Sequence, residues 1–232
     1  MRRIEINRRR KMKFERSPFA MIIAIIVLLV FLGMPSSQPA NAKSNDPTNR
    51  TPKHTEIAVL RNLKTNERIK LPIKKYNGKV PNSTIYEVFV PSSILSYESH
   101  QHPDDTGGVT LTITQSYSER SYPEYSVSLT SSSAKWMKSD NTISITNASV
   151  TSAVAGYISG GGFLIDDETR SIGVPSLNTW YYQYPSWTGT YIIINDMGYQ
   201  ATRADSLLVR GGASWDFGFC VAQGGGQVIS CE

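Results

Sequence analysis

The 232-residue chain carries a formal charge of +5 at neutral pH. Eight of its 24 basic residues and two of its 19 acidic ones precede Lys43, so residues 43–232 hold 16 against 17 and are nearly neutral. That balance excludes a nucleic-acid role argued from overall basicity, and two cysteines alone exclude a cysteine-built structural zinc centre.

The N-terminus has a basic head, then sixteen unbroken apolar or small residues at 19–34, then a polar neck with two prolines ending in Ala40-Asn41-Ala42. This is the order of a secretory signal peptide, with cleavage expected after Ala42. The alternative is retention at the membrane by residues 19–34, although the run is short for the roughly 20 residues of a spanning helix. The basic cluster holds the N-terminus inside, so the body is expected outside the cell in either case. The segment thus engages the export machinery and the membrane, and its compact form fits a bacterial source. Residues 43–55 contain nothing that can form a core and read as a disordered leader.

Beyond the leader, 56–232 reads as one all-β domain. Its Ser, Thr, Tyr and Gly content favours sheets and turns. Ile57 to Leu60 and Ile69 to Ile73 form a weak basic hairpin, with Pro72 marking an edge. Thr84 to Val90 is a strand with apolar groups on both faces, and Pro91-Ser92-Ser93 opens a short helical turn. Val109, Leu111 and Ile113 alternate with threonines, and Tyr125, Val127 and Leu129 with Ser and Thr. This period of two predicts an antiparallel pair with one buried face and one wet face.

Asp140-Asn141 turns into a strand at Thr142, and 149–158 reads as a strand because Gly156 would weaken a helix. Phe163 to Ile165 is a short strand expected to stop at Asp166-Asp167-Glu168. The aromatic stretch Trp180 to Tyr184 and the return Tyr191 to Ile194 read as a hairpin. Trp215, Phe217, Phe219 and Val221 share one strand face. A turn at Gly225-Gly226 would set Cys220 opposite Cys231, within reach of a disulfide in an oxidising compartment. Nine or ten short strands point to an antiparallel β-sandwich, with a partly open barrel as the alternative.

Three clusters offer chemistry. Trp180, Tyr182, Tyr184, Trp187 and Tyr191 form an aromatic platform for ligand binding, set against ordinary core packing. Trp187, between Pro185 and Gly189, is the member expected to be exposed. Asp166, Asp167 and Glu168, joined by Asp104 and Asp105 or by Asp196, are weak candidates for a structural calcium ion, without the spacing of a calcium loop. His100 and His102 share a face on an extended segment and lack a third metal ligand. Asn82 and Asn147 head glycan acceptor triplets, which matter only in a eukaryotic secretory route.

No nucleophile elbow, zinc helix, phosphate loop or Cys-x-x-Cys is present. Catalysis is therefore not favoured, and no catalytic residue is assigned. The reading is a secreted, non-catalytic β-domain that binds a cell-surface, cell-wall glycan or protein partner. Its alternatives are a polysaccharide-active hydrolase using a carboxylate pair, and a secreted toxin or inhibitor with a protein or membrane target. The sequence leaves the oligomeric state open.

Overall fold

The computed structural model describes residues 54–95, 107–194 and 197–224. The export signal, the leader to residue 53, His100, His102, Asp104, Asp105, Asp196 and Cys231 lie outside the described residues. The described strands are β1 (His54–Asn62), β2 (Arg68–Lys70), β3 (Ile73–Asn77), β4 (Ser83–Pro91), β5 (Gly108–Arg120) and β6 (Ser126–Lys138). They continue with β7 (Ser144–Tyr157), β8 (Phe163–Gly173), β9 (Trp180–Gln183), β10 (Ile192–Ile193), β11 (Tyr199–Arg210) and β12 (Ala213–Gly224).

These strands form two open, six-stranded antiparallel sheets rather than a closed barrel. Sheet A runs β2-β1-β12-β11-β7-β8. Sheet B runs β10-β6-β5-β4-β3, with β9 also on β6. The first described strand pairs the last, His54 opposite Gln223. Leu71 and Pro72 carry the chain from one sheet to the other, so Pro72, which has no N–H to donate, sits where ladder bonding is interrupted.

The alternating residues meet between the sheets as expected. Val109, Leu111, Ile113 and Trp136 on sheet B and Leu60, Phe217, Phe219 and Val221 on sheet A are completely buried in one cluster. The β5–β6 pair is longer than the alternation indicated. β5 continues to Arg120, so residues 126–129 face 117–120, and Val109 faces Lys138. The polar positions expected to be wet are partly buried, with Ser126 and Ser128 inaccessible to solvent.

Towards the Tyr199 end the interior turns polar. Gln115 Nε2 donates to Thr202 Oγ1 at 2.9 Å and to the Val221 carbonyl at 3.1 Å, while Tyr117 donates its hydroxyl to Gln115 Oε1. Ser132 and Ser152 hydrogen-bond across the sheets at 2.8 Å. Gln200 on β11 accepts from the Leu129 N–H and donates to the Val127 carbonyl, acting on β6 as one residue of a neighbouring strand would. Buried polar groups cost little only when paired, and these pairs bridge the two layers.

Three expectations are corrected. The aromatic stretch and its return do not pair with each other: β9 pairs β6 at 132–135 and β10 pairs it at 126–127. The long edge of β6 takes both segments in succession. The acidic triplet does not end a strand, because β8 runs through it to Gly173.

The third correction concerns the cysteines. Cys220 was expected to face Cys231 across a terminal hairpin. Instead it lies opposite Ile57 on one side and Arg203 on the other. Both edges of β12 are taken, so the hairpin register that set Cys220 beside Cys231 within the sheet is withdrawn.

Candidate functional site

The aromatic platform is divided by the fold. β9 sits on the edge of sheet B, and its alternation sends neighbouring rings to opposite sides. Tyr181 turns towards the core and meets Trp136 edge to face, centroids 5.9 Å apart. Trp180 is half-buried, with the Lys135 ammonium 4.7 Å from its ring centroid. Tyr182 and Tyr184 remain in solvent, 48% and 69% exposed. Their rings are nearly parallel, at 11° and 6.3 Å between centroids. That separation is too long for a face-to-face stack and describes a strongly offset pair presenting a broad aromatic strip.

Trp187 does not join them. It is 5% exposed and packs with Val154 and Ile192, with Ile158 and Leu164 alongside. The loop 184–191 covers the stretch of β6 left free between β9 and β10. Gly189 donates its N–H to Ser128 Oγ at 2.9 Å, and Thr188 Oγ1 donates to the Pro185 carbonyl at 2.7 Å. Trp187 drops from this loop into the gap between the layers. The Pro and Gly around it make the bend, and the bend points inward.

Tyr191 is also separate. Its hydroxyl hydrogen-bonds Ser118 Oγ at 2.6 Å, and the Arg120 guanidinium lies 3.6 Å from its ring centroid. The Ser118 bond, with help from the Arg120 charge, holds its phenol below the usual value. This group belongs to the β5–β6 tip, whose Tyr122 is 86% exposed.

β8 buttresses the exposed pair from sheet A. Arg170 donates to the Tyr182 carbonyl, and its guanidinium lies 5.7 Å from the Tyr181 ring centroid. Gln183 Nε2 donates to the Glu168 carbonyl at 2.6 Å, and the Ser186 N–H donates to Glu168 Oε1 at 2.8 Å. Sequence reasoning had no signal for these contacts, which join strands distant in the chain. Glu168 is thereby committed to the loop. Asp166 accepts from the Asp167 N–H at 2.9 Å. Among the described residues no three ligating side chains converge into a metal site.

A concavity of about 900 Å³ lies by β1, β2, β11 and β12. Arg61 pairs there with Asp216, and Arg203 Nε with Asp205 Oδ1 at 2.8 Å, while Glu56, Arg68 and Lys70 also line it. Burial pushes the Asp205 carboxyl up against the opposing pull of Arg203.

No family model, curated protein or solved structure matches the chain. The geometry of the exposed tyrosines therefore stands alone.

Proposed function

We propose that the folded body is an exported, non-catalytic binding module whose recognition surface centres on Tyr182 and Tyr184, and that its ligand is a glycan of a cell surface or wall. The observation that carries this reading is the parallel pair of exposed rings on a short, braced edge strand. Two large apolar faces left in water need a reason. Flat rings contribute contact area at little conformational cost, and their hydroxyls offer polar edges. Sugar rings present flat C–H faces flanked by hydroxyls, which suits such a strip. The Arg170 and Glu168 contacts hold β9 in place before a ligand arrives, and pre-organisation lowers the entropic cost of binding.

Export is supported by the order of basic head, apolar core and small-x-small exit in residues 1–42. Affinity electrophoresis tests the binding reading. In gels cast with soluble wall polysaccharide the parent protein should be retarded, and Tyr182→Ala/Tyr184→Ala should run as in an empty gel. Equal retardation of both proteins would place recognition elsewhere.

A further inference from the structure

Sheet A ends in two edge strands, β2 and β8, and among the described residues no strand lies beyond either. Both present backbone groups outward. Leu71 donates its N–H to the Ala58 carbonyl at 3.0 Å, and Asn62 donates to the Glu67 carbonyl at 2.9 Å, so Glu67 and Leu71 bond β1. Alternation then turns the N–H and C=O groups of Arg68 and Lys70 away from the sheet. On the other edge, Ile158 donates to the Gly162 carbonyl at 3.0 Å. In steps of two from that pair, Leu164, Asp166 and Glu168 face β7, and Ile165, Asp167 and Thr169 face outward.

The two edges carry opposite charges. Arg68 and Lys70 are exposed on β2, and Asp166, Asp167 and Glu168 follow one another on β8. Ile69 packs on the core, and Val154, opposite Asp166, is buried. Their neighbours Lys70 and Asp167 therefore both stand on the face of sheet A turned away from sheet B. Neither makes an ion pair among the described residues. Beside Asp167, Ile165 is 73% exposed.

We propose that the domain associates head to tail, with β2 of one copy adding to β8 of the next, so that sheet A runs on from copy to copy. An open edge is a template for a further strand, and the charge on it decides which strand adds. Two β2 edges repel each other, as do two β8 edges, whereas β2 and β8 attract. Direction agrees as well. Every pairing in sheet A is antiparallel, so its six strands alternate and β2 runs opposite to β8. A second copy set alongside in the same orientation continues the antiparallel order. Sheet B lacks this property, because four antiparallel steps separate β10 from β3 and the two run the same way.

The charges also choose a register. With Lys70 of one copy opposite Asp167 of the next, Glu67 meets Arg170 and Pro72 meets Ile165. A slip of two residues that brings Arg68 opposite Asp167 sets Glu67 against Glu168, and like charges directly opposite are destabilising. β2 has three residues, so the added ladder is short and the association weak. A head-to-tail contact leaves a free edge at each end, so copies add beyond a pair. Tyr182 follows the inward-turned Tyr181, so its ring lies on the outer side of sheet B, clear of this contact.

Sedimentation equilibrium tests the proposal. Between about 20 μM and about 1 mM protein at low ionic strength, the weight-average mass should rise by at least about half. Raising the salt to about 500 mM should return it towards the monomer. Lys70→Glu and Asp167→Lys should each stay monomeric, and the exchanged pair Lys70→Glu/Asp167→Lys should associate again. A parent that stays monomeric, single variants that associate as the parent does, or a folded double variant that does not recover would overturn the proposal. Amide hydrogen exchange on the parent gives a second reading that needs no variant. The N–H groups of Ile165 and Thr169 should exchange about threefold more slowly at the higher concentration. Exchange there that is independent of concentration would likewise overturn it.

Discussion

Gln115 on β5 donates to Thr202 on β11 at 2.9 Å, a hydrogen bond between two strands of different sheets in an interior closed to water. The same amide holds the Val221 carbonyl and accepts from Tyr117. Replacing Gln115 with Leu keeps the bulk and leaves these partners unmatched. Each buried unpaired group costs about 1–3 kcal/mol. Gln115→Leu should therefore lower stability by about 2–4 kcal/mol, as read from the urea midpoint. A loss below about 0.5 kcal/mol would show that the polar layer does not contribute to holding the sheets together.

Trp187 and Tyr184 lie three residues apart and should behave oppositely. Trp187→Ala removes a plug between the layers and should cost about 3–5 kcal/mol. Tyr184→Ala removes an exposed ring and should stay within about 0.5 kcal/mol of the parent. Thermal denaturation of the two variants, measured side by side, checks both.

Asp140 ties the sheets at the opposite end. It accepts from Ser92 Oγ at 2.7 Å and from the Thr142 hydroxyl at 2.6 Å, and Arg210 lies 3.2 Å away. The Thr142 bond, then the Ser92 bond, draw its carboxyl down to about 2 from 3.8. A carboxylate lowered on folding contributes stability that is present above its unfolded value and lost as pH falls through its folded value. The parent should therefore lose stability between about pH 4 and pH 2, and Asp140→Asn should flatten that limb. At pH 7 the variant should be weaker by about 1 kcal/mol, because the hydrogen bonds are partly screened by solvent.

His54 adds a second pH dependence. Burial, with the nearby Lys75 charge, lowers its value from 6.5. Its neutral form is favoured in the fold, so its contribution is present above the unfolded value and lost as pH falls through the folded one. His54→Gln should remove the mildly acidic part of the stability profile and leave the Asp140 limb in place. A urea-midpoint profile from pH 7 down to pH 2 separates the two.

Much of the framework was legible in the residues. Val109, Leu111 and Ile113, and Trp215 through Val221, show a period of two over enough positions to fix a buried face. The turn at Asp140-Asn141 was visible because an Asp side chain can bond the backbone two residues on, as the Thr142 N–H does. The polar layer was hidden, because Gln115 and Thr202 occupy inward positions that pattern reading assigns to apolar residues. Trp187 was misread because a Pro-Gly bend states that the chain turns, and the direction depends on a gap between sheets made by distant strands. The β9–β10 pairing failed for a related reason. Proximity in sequence favours a hairpin, but the free edge of the 13-residue β6 offered both segments a longer partner. Of the five platform aromatics, Tyr182 and Tyr184 share a solvent-facing strip.

The glycan-binding reading is tested most directly on a glycan microarray probed with the parent protein and with Tyr182→Ala/Tyr184→Ala. The parent should bind at least one class of cell-surface or wall glycan, and the double variant should lose at least tenfold in signal while keeping the parent's urea midpoint. Equal binding by the two proteins, or a parent that binds no glycan, would contradict the account.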